Sequence, residues 1–205
     1  MSGKEVQLGN EIDSVSYSLG VNIAQNIKSQ GMDELNIEAM ANAFSDVFED
    51  DSLKIDEMTC SMLINTYFQN LQSSNAEESM QEGLAFLEEN KSRQNVVTTE
   101  SGLQYEVLEE GSGPKPGEND TVSVHYHGTT IDGTVFDSSV DRGEPVSFPV
   151  NGVIQGWQEA LQLMPAGSKW KIFVPSELAY GERGAGRDIG PNETLVFEVE
   201  LISIN

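Results

Sequence analysis

The sequence predicts an α+β protein, helical in its first half and built in its second on a curved antiparallel sheet wrapped on one short helix. Three observations carry this. Residues 1–100 contain no Pro and only five Gly, so turn-forming residues are concentrated after residue 100. In the first half apolar residues recur at three- and four-residue spacing, the period of a helix with one buried stripe. In the second half they alternate: Val122, Val124 and Tyr126 interleave with Ser123, His125 and His127, the period of a strand with one buried face.

Taken in order, Val15, Leu19, Ile23 and Ile27 fall on one side of a helix over about Asp13–Gln30, with Gly31 as its stop. Asn36 is placed to cap a second helix whose stripe is Ile37, Met40, Ala41, Phe44, Val47 and Phe48. Asp56 is placed to cap a third, with Met58, Met62, Leu63, Tyr67 and Leu71 as its apolar positions. From Gln72 to Gly83 this helix offers almost nothing to bury before Leu84 and Leu87 resume the pattern. Either it continues to Asn90 as a spacer, about 50 Å long at 1.5 Å per residue, or it breaks near Ser73-Ser74-Asn75. Lys91–Ser101 reads as a junction. Beyond it Leu103–Val107 and Thr121–Thr130 read as strands, Asp132-Gly133 as a tight turn, Trp157–Met164 as a helix stopped by Pro165 and Gly167, and Lys169–Val174 and Thr194–Ile204 as two more strands.

Composition narrows the function classes. A net charge of −23 repels phosphate backbones and anionic lipid, so nucleic acid is not an expected partner. Cys60 is the lone cysteine, which rules out an intramolecular disulfide and reads as a buried helix position. No apolar run reaches the roughly 18 residues of a membrane span, and the first residues lack a secretory pattern. A cytoplasmic protein is the expectation, with the periplasm as the alternative if a leader has been removed. Three short helices over some 70 residues make a thin core. Residues 1–72 are therefore expected to form a homodimerisation domain, followed by the long polar helix and linker over 73–100.

Candidate chemistry sits mainly between Val122 and Trp157. His125 and His127 share a strand face, yet no other His or Cys is near in sequence to complete a metal site, and none is expected. Ser138 and Ser139 beside Asp137 lack the pattern of an activated nucleophile. The loop Gly181–Gly190, GERGAGRDIG, has neither P-loop nor dinucleotide spacing and reads as a flap. What remains is an aromatic supply, Phe136, Phe148, Val153, Ile154 and Trp157, with Asp137, Asp141 and Arg142 as the nearby charges. That mixture suits an apolar cavity holding a few fixed polar groups.

Four blocks, VHYHGTTIDGTVFDSS, GVIQGWQEALQLMPAGSKW, AYGERGAG and TLVFEVEL, together resemble the FKBP-type peptidyl-prolyl cis-trans isomerase domain over residues 101–205. The helical half before it resembles the bacterial Mip-like subclass, whose N-terminal helices dimerise. The resemblance implies a substrate pocket lined by Tyr126, Phe136, Asp137, Val153, Ile154, Trp157, Tyr180, Ile189 and Phe197, with Arg142 pairing to Asp137. Trp157 would be the floor. Asp137, Phe136, the Tyr180 hydroxyl and the Ile154 N–H would carry catalysis. No cofactor is implied. Partners would be proline-containing unfolded chains and macrolide inhibitors, with chaperone-like client binding by the dimer. Val146, Ala185 and the run Ile189-Gly190-Pro191 depart from the family's usual residues, which bears on contacts at the flap. A non-catalytic proline-peptide-binding module or holdase is the alternative.

Overall fold

Asn10, Asn36 and Asp56 each begin a helix, because a short side-chain oxygen satisfies an otherwise unpaired N–H of the first turn. The acceptors are Asn10 Oδ1 for Asp13 N (2.9 Å), Asn36 Oδ1 for Ala39 N (3.0 Å) and Asp56 Oδ1 for Thr59 N (2.9 Å). The structure, a computed structural model, describes residues 6–205. Its first three helices are α1 (Glu11–Ser29), α2 (Ile37–Phe48) and α3 (Glu57–Asn90). Helix α3 is continuous, so the break considered near Ser73-Ser74-Asn75 does not occur.

Two compact units divide between Leu71 and Gln72, inside α3. In the first unit neither α1 nor α2 buries a single residue. Phe44, Val47 and Phe48 of the strongest apolar stripe are 46 %, 61 % and 84 % exposed, so that face has no partner within the described chain.

The second unit corrects the reading of residues 72–101. Ala76, Ser79, Met80, Gly83, Phe86, Leu87 and Asn90 are all withdrawn wholly or partly from solvent, at helical three- and four-residue spacing. The helix is thus packed on the second unit over this stretch and does not pass free through water. Between Ala76 and Gly83 the stripe consists of Ala, Ser and Gly with Met80 as its one large apolar side chain, so apolar spacing does not reveal it. The expected junction also contains a strand, β1 (Val96–Thr98).

After β1 come β2 (Gln104–Glu109), β3 (Thr121–Thr130), β4 (Val135–Ser138), the one-turn helix α4 (Ser139–Arg142), β5 (Val146–Pro149), α5 (Gln155–Leu163), β6 (Lys169–Val174) and β7 (Leu195–Ile204). All pairings are antiparallel, in the order β1-β2-β6-β7-β3-β4, with β5 on β3 as well. Strand β3 is the axis. One edge pairs with β7, and the other is shared by β4 near its end and β5 near its start. Its burial alternates along all ten residues, putting Val122, Val124, Tyr126, Gly128 and Thr130 inward. Helix α5 lies against this inner face, where Trp157, Ala160, Leu161 and Met164 meet Val124, Ile172, Phe197, Val199 and Leu201 in one core. A fully buried Leu or Met contributes roughly 1.5–3 kcal/mol, so this helix anchors the sheet's curl.

Candidate active site

The site lies beside Trp157, in the first turn of α5. Its ring is met nearly edge-on by Tyr126 (5.4 Å between centroids, 85°), Phe148 (6.2 Å, 86°) and Phe197 (5.3 Å, 84°), and Phe197 is met in turn by Phe136 (5.5 Å, 84°). Such edge-to-face packing suits the charge distribution of aromatic rings. Here it leaves a ring-walled cavity of about 490 Å³. Gly128 on β3 makes part of this possible. A Cβ there would lie 2.8 Å from the Phe136 ring and 3.0 Å from Phe197 Cδ1, so any larger residue would push the rings apart.

Of the residues named from the sequence, Tyr126, Phe136, Asp137, Val153, Ile154, Trp157, Tyr180 and Phe197 line the cavity together. Two do not. Ile189 is buried in the core cluster, held there by a small bridge in which Ala185 N donates to Ile189 O at 2.8 Å. Arg142 is not in the lining but braces it from the rim. Phe148, part of the aromatic supply read from the sequence, lines the cavity as well, turned inward with Val146 by the alternation of β5; Gly152 also lines it and was not expected there.

Asp137 is pinned at both oxygens. Arg142 Nη1 donates to Oδ1, the Tyr126 hydroxyl donates to Oδ2, and Arg142 Nη2 donates to that hydroxyl at 2.9 Å. Desolvation pushes the Asp137 carboxyl upward and is the largest single influence, but the two hydrogen bonds and the Arg142 charge together outweigh it and hold the group below the usual carboxylate range. Burial, then the bond to Asp137, raises the Tyr126 hydroxyl. Burial, then the Asp137 charge, raises that of Tyr180. Both phenols therefore stay protonated and able to donate at neutral pH.

The strand turns its remaining polar side chains to structural use. Ser139 Oγ accepts from Tyr126 N (2.8 Å) and donates to Tyr126 O (3.3 Å), extending the ladder past the end of β4. Ser138 Oγ caps α4 by accepting from Asp141 N (3.1 Å), which sets the turn that carries Arg142. His125 and His127 place Nδ1 3.1 and 2.9 Å from these two hydroxyls. Among the described residues no three His, Cys, Asp or Glu side chains gather as a metal site.

Two donors at the cavity are free among the described residues. Ile154, the residue before α5, gives its carbonyl to Trp157 N and Gln158 N while its own N–H meets no backbone acceptor, and Trp157 Nε1 is buried without a partner. The lining thus offers one fixed carboxylate, the Tyr180 hydroxyl as a phenolic donor and a backbone N–H around an apolar void.

The chain belongs to the FKBP-type peptidyl-prolyl cis-trans isomerase family. Residues 113–202 match the family described as FKBP-type peptidyl-prolyl cis-trans isomerase, and residues 12–107 match the domain amino terminal to it. The chain is 46 % identical over 199 residues to the outer membrane protein MIP of Legionella longbeachae, covering 94 % of this chain and 85 % of that protein. It is 47 % identical over 192 residues to the FKBP-type 22 kDa peptidyl-prolyl cis-trans isomerase of Escherichia coli K12, covering 92 % and 93 %. The crystal structure of FkpA from Escherichia coli superposes with a TM-score of 0.77 at 34 % identity, covering 97 % of this chain and 99 % of that one. The protein is accordingly an isomerase of X-Pro bonds.

Proposed function

We propose that the cavity above Trp157 is where the X-Pro bond turns, and that a homodimer presents two such cavities to unfolded client chains. The supporting observation is the ring-walled void with a pinned carboxylate at its rim. Rotation about an X-Pro bond is opposed by amide resonance, a barrier of about 18–20 kcal/mol, and breaks no bond. At the twisted transition state the carbonyl dipole shrinks. An apolar void withholds water from the planar imide, which loses more solvation than the twisted form, so the barrier falls. The proline ring would sit over the Trp157 indole between Phe136 and Phe197. The Ile154 N–H and the Tyr180 hydroxyl would orient the flanking carbonyls, with the Asp137 field beside the rotating one. Macrolide inhibitors would enter the same cavity.

The dimer reading rests on the unpartnered stripe of α2 and on the chain's likeness to FkpA, which includes the N-terminal domain. The cradle between two copies would bind clients as a chaperone does. No helix among the described residues is long and apolar enough to cross a membrane. The cytoplasmic expectation draws no support from the relatives, one of which is named an outer membrane protein; the periplasmic alternative is consistent with them.

Phe136→Ala and Asp137→Ala test this in the full chain. Each is expected to lower kcat/KM on a proline-limited refolding substrate by about tenfold or more, with sedimentation still reporting a dimer. An unchanged rate would remove the cavity from the reaction, and a wild-type chain sedimenting as a monomer at micromolar concentration would remove the dimer.

A further inference from the structure

The packed stretch of α3 reaches the second unit at two places. Toward its C-terminal end it holds the sheet: the Phe86 ring lies 5.9 Å from that of Phe173, Gln104 Nε2 donates to Leu87 O (2.8 Å), and Asn90 Nδ2 donates to Gln104 Oε1 (2.8 Å). One to three turns earlier it meets the loop that follows Tyr180 and its neighbour Thr194. Asn192 Nδ2 donates to Ala76 O at 3.1 Å, and Gly83 packs so tightly on Thr194 that a Cβ there would overlap Oγ1 and lie 3.2 Å from its Cβ. Asn192 also closes the neck of that loop, its N–H donating to Gly181 O at 2.9 Å. Gly181 directly follows Tyr180, whose side chain lines the cavity. One residue therefore joins the helix to the neck of the loop, and the neck to Tyr180.

We propose that α3, between Ala76 and Gly83, is a positioning element for the cavity: by holding Asn192 and Thr194 it fixes the neck of the 181–192 loop and, through it, Tyr180. This rests on the reading of the cavity as the site of isomerisation. It gives a purpose to two features that are otherwise costly. A glycine within a helix forfeits helical stability, and Gly83 is kept where Thr194 needs the space. Asn192 has a φ of 58°, in the left-handed region that Asn tolerates better than most residues, and its amide is thereby directed at the helix.

Two full-chain variants separate positioning from mere folding. Asn192→Gly leaves the left-handed backbone relaxed and removes only the tie to Ala76. Gly83→Ala improves helix propensity while wedging the helix off Thr194, and the added change Thr194→Ala relieves the worst of that overlap. In both single variants amide hydrogen exchange is expected to quicken over residues 181–190, and KM for a short proline peptide to rise roughly three- to tenfold with kcat little changed. Thr194→Ala is expected to restore Gly83→Ala toward wild type. Unchanged exchange and KM in both single variants would overturn the proposal. Faster exchange with unchanged KM would also overturn it, by cutting the loop off from the reaction. That result is distinct from failure of the cavity reading, which the Phe136→Ala rate decides alone.

Discussion

Asp137 shows how one side chain is given its state by its neighbours. Its two hydrogen-bonded partners hold it ionised against the desolvation that opposes charge, so its contribution has a definite sign with pH. A carboxyl whose folded value is lowered adds stability above its unfolded value, about 3.9, and loses it as pH falls through the folded value. Activity is therefore expected to stay level from neutral pH down to about pH 5 and to fall only in stronger acid. Asp137→Asn should be slower at every pH and lack that acid limb; an activity step in the wild type between pH 5 and 7 would contradict the assignment. At this scale much was legible. Phe136, Asp137 and Trp157 stood in blocks specific enough to be placed by resemblance, and they do share one cavity. Ile189 stands in the core cluster outside the lining, held by its backbone bridge to Ala185, a pairing that side-chain spacing does not announce.

At the scale of elements, helix type and strand alternation were readable wherever a single period governed the side chains. Strand β3 and helices α2 and α5 fall where their patterns put them. Strand β1 is only three residues long, too short for a period to show. The packed face of α3 was hidden for another reason: close approach of backbones selects small residues, and between Ala76 and Gly83 only Met80 is large and apolar. The same contact carries a further charge effect. Glu193 is raised by burial first and then by the charges of Asp132 in the hairpin turn and Glu82 on α3. Such a group contributes fully below its unfolded value, about 4.3, and that contribution is lost as pH rises through the higher folded value. Glu193→Gln is thus expected to raise the thermal midpoint at pH 7 and to change it little at pH 4. A lower midpoint at pH 7 would show that the carboxylate is stabilising after all.

At the scale of the whole molecule the two units differ in what they do with their apolar side chains. The second gathers its buried apolar side chains in one core and holds the ring-walled cavity beside Trp157. The first leaves Phe44, Val47, Phe48, Met58 and Met62 exposed, in a chain whose net charge is −23. The two tryptophans offer a direct view of the central claim. Trp157 is the cavity's wall of rings, whereas Trp170 is stacked on Tyr105 at 4.3 Å, outside the lining. Titration of the full chain with a short proline peptide, followed by the two indole N–H resonances, is expected to shift the Trp157 signal saturably and leave that of Trp170 in place. A Trp157 signal that stays still while the peptide is being turned over would place the reaction somewhere else.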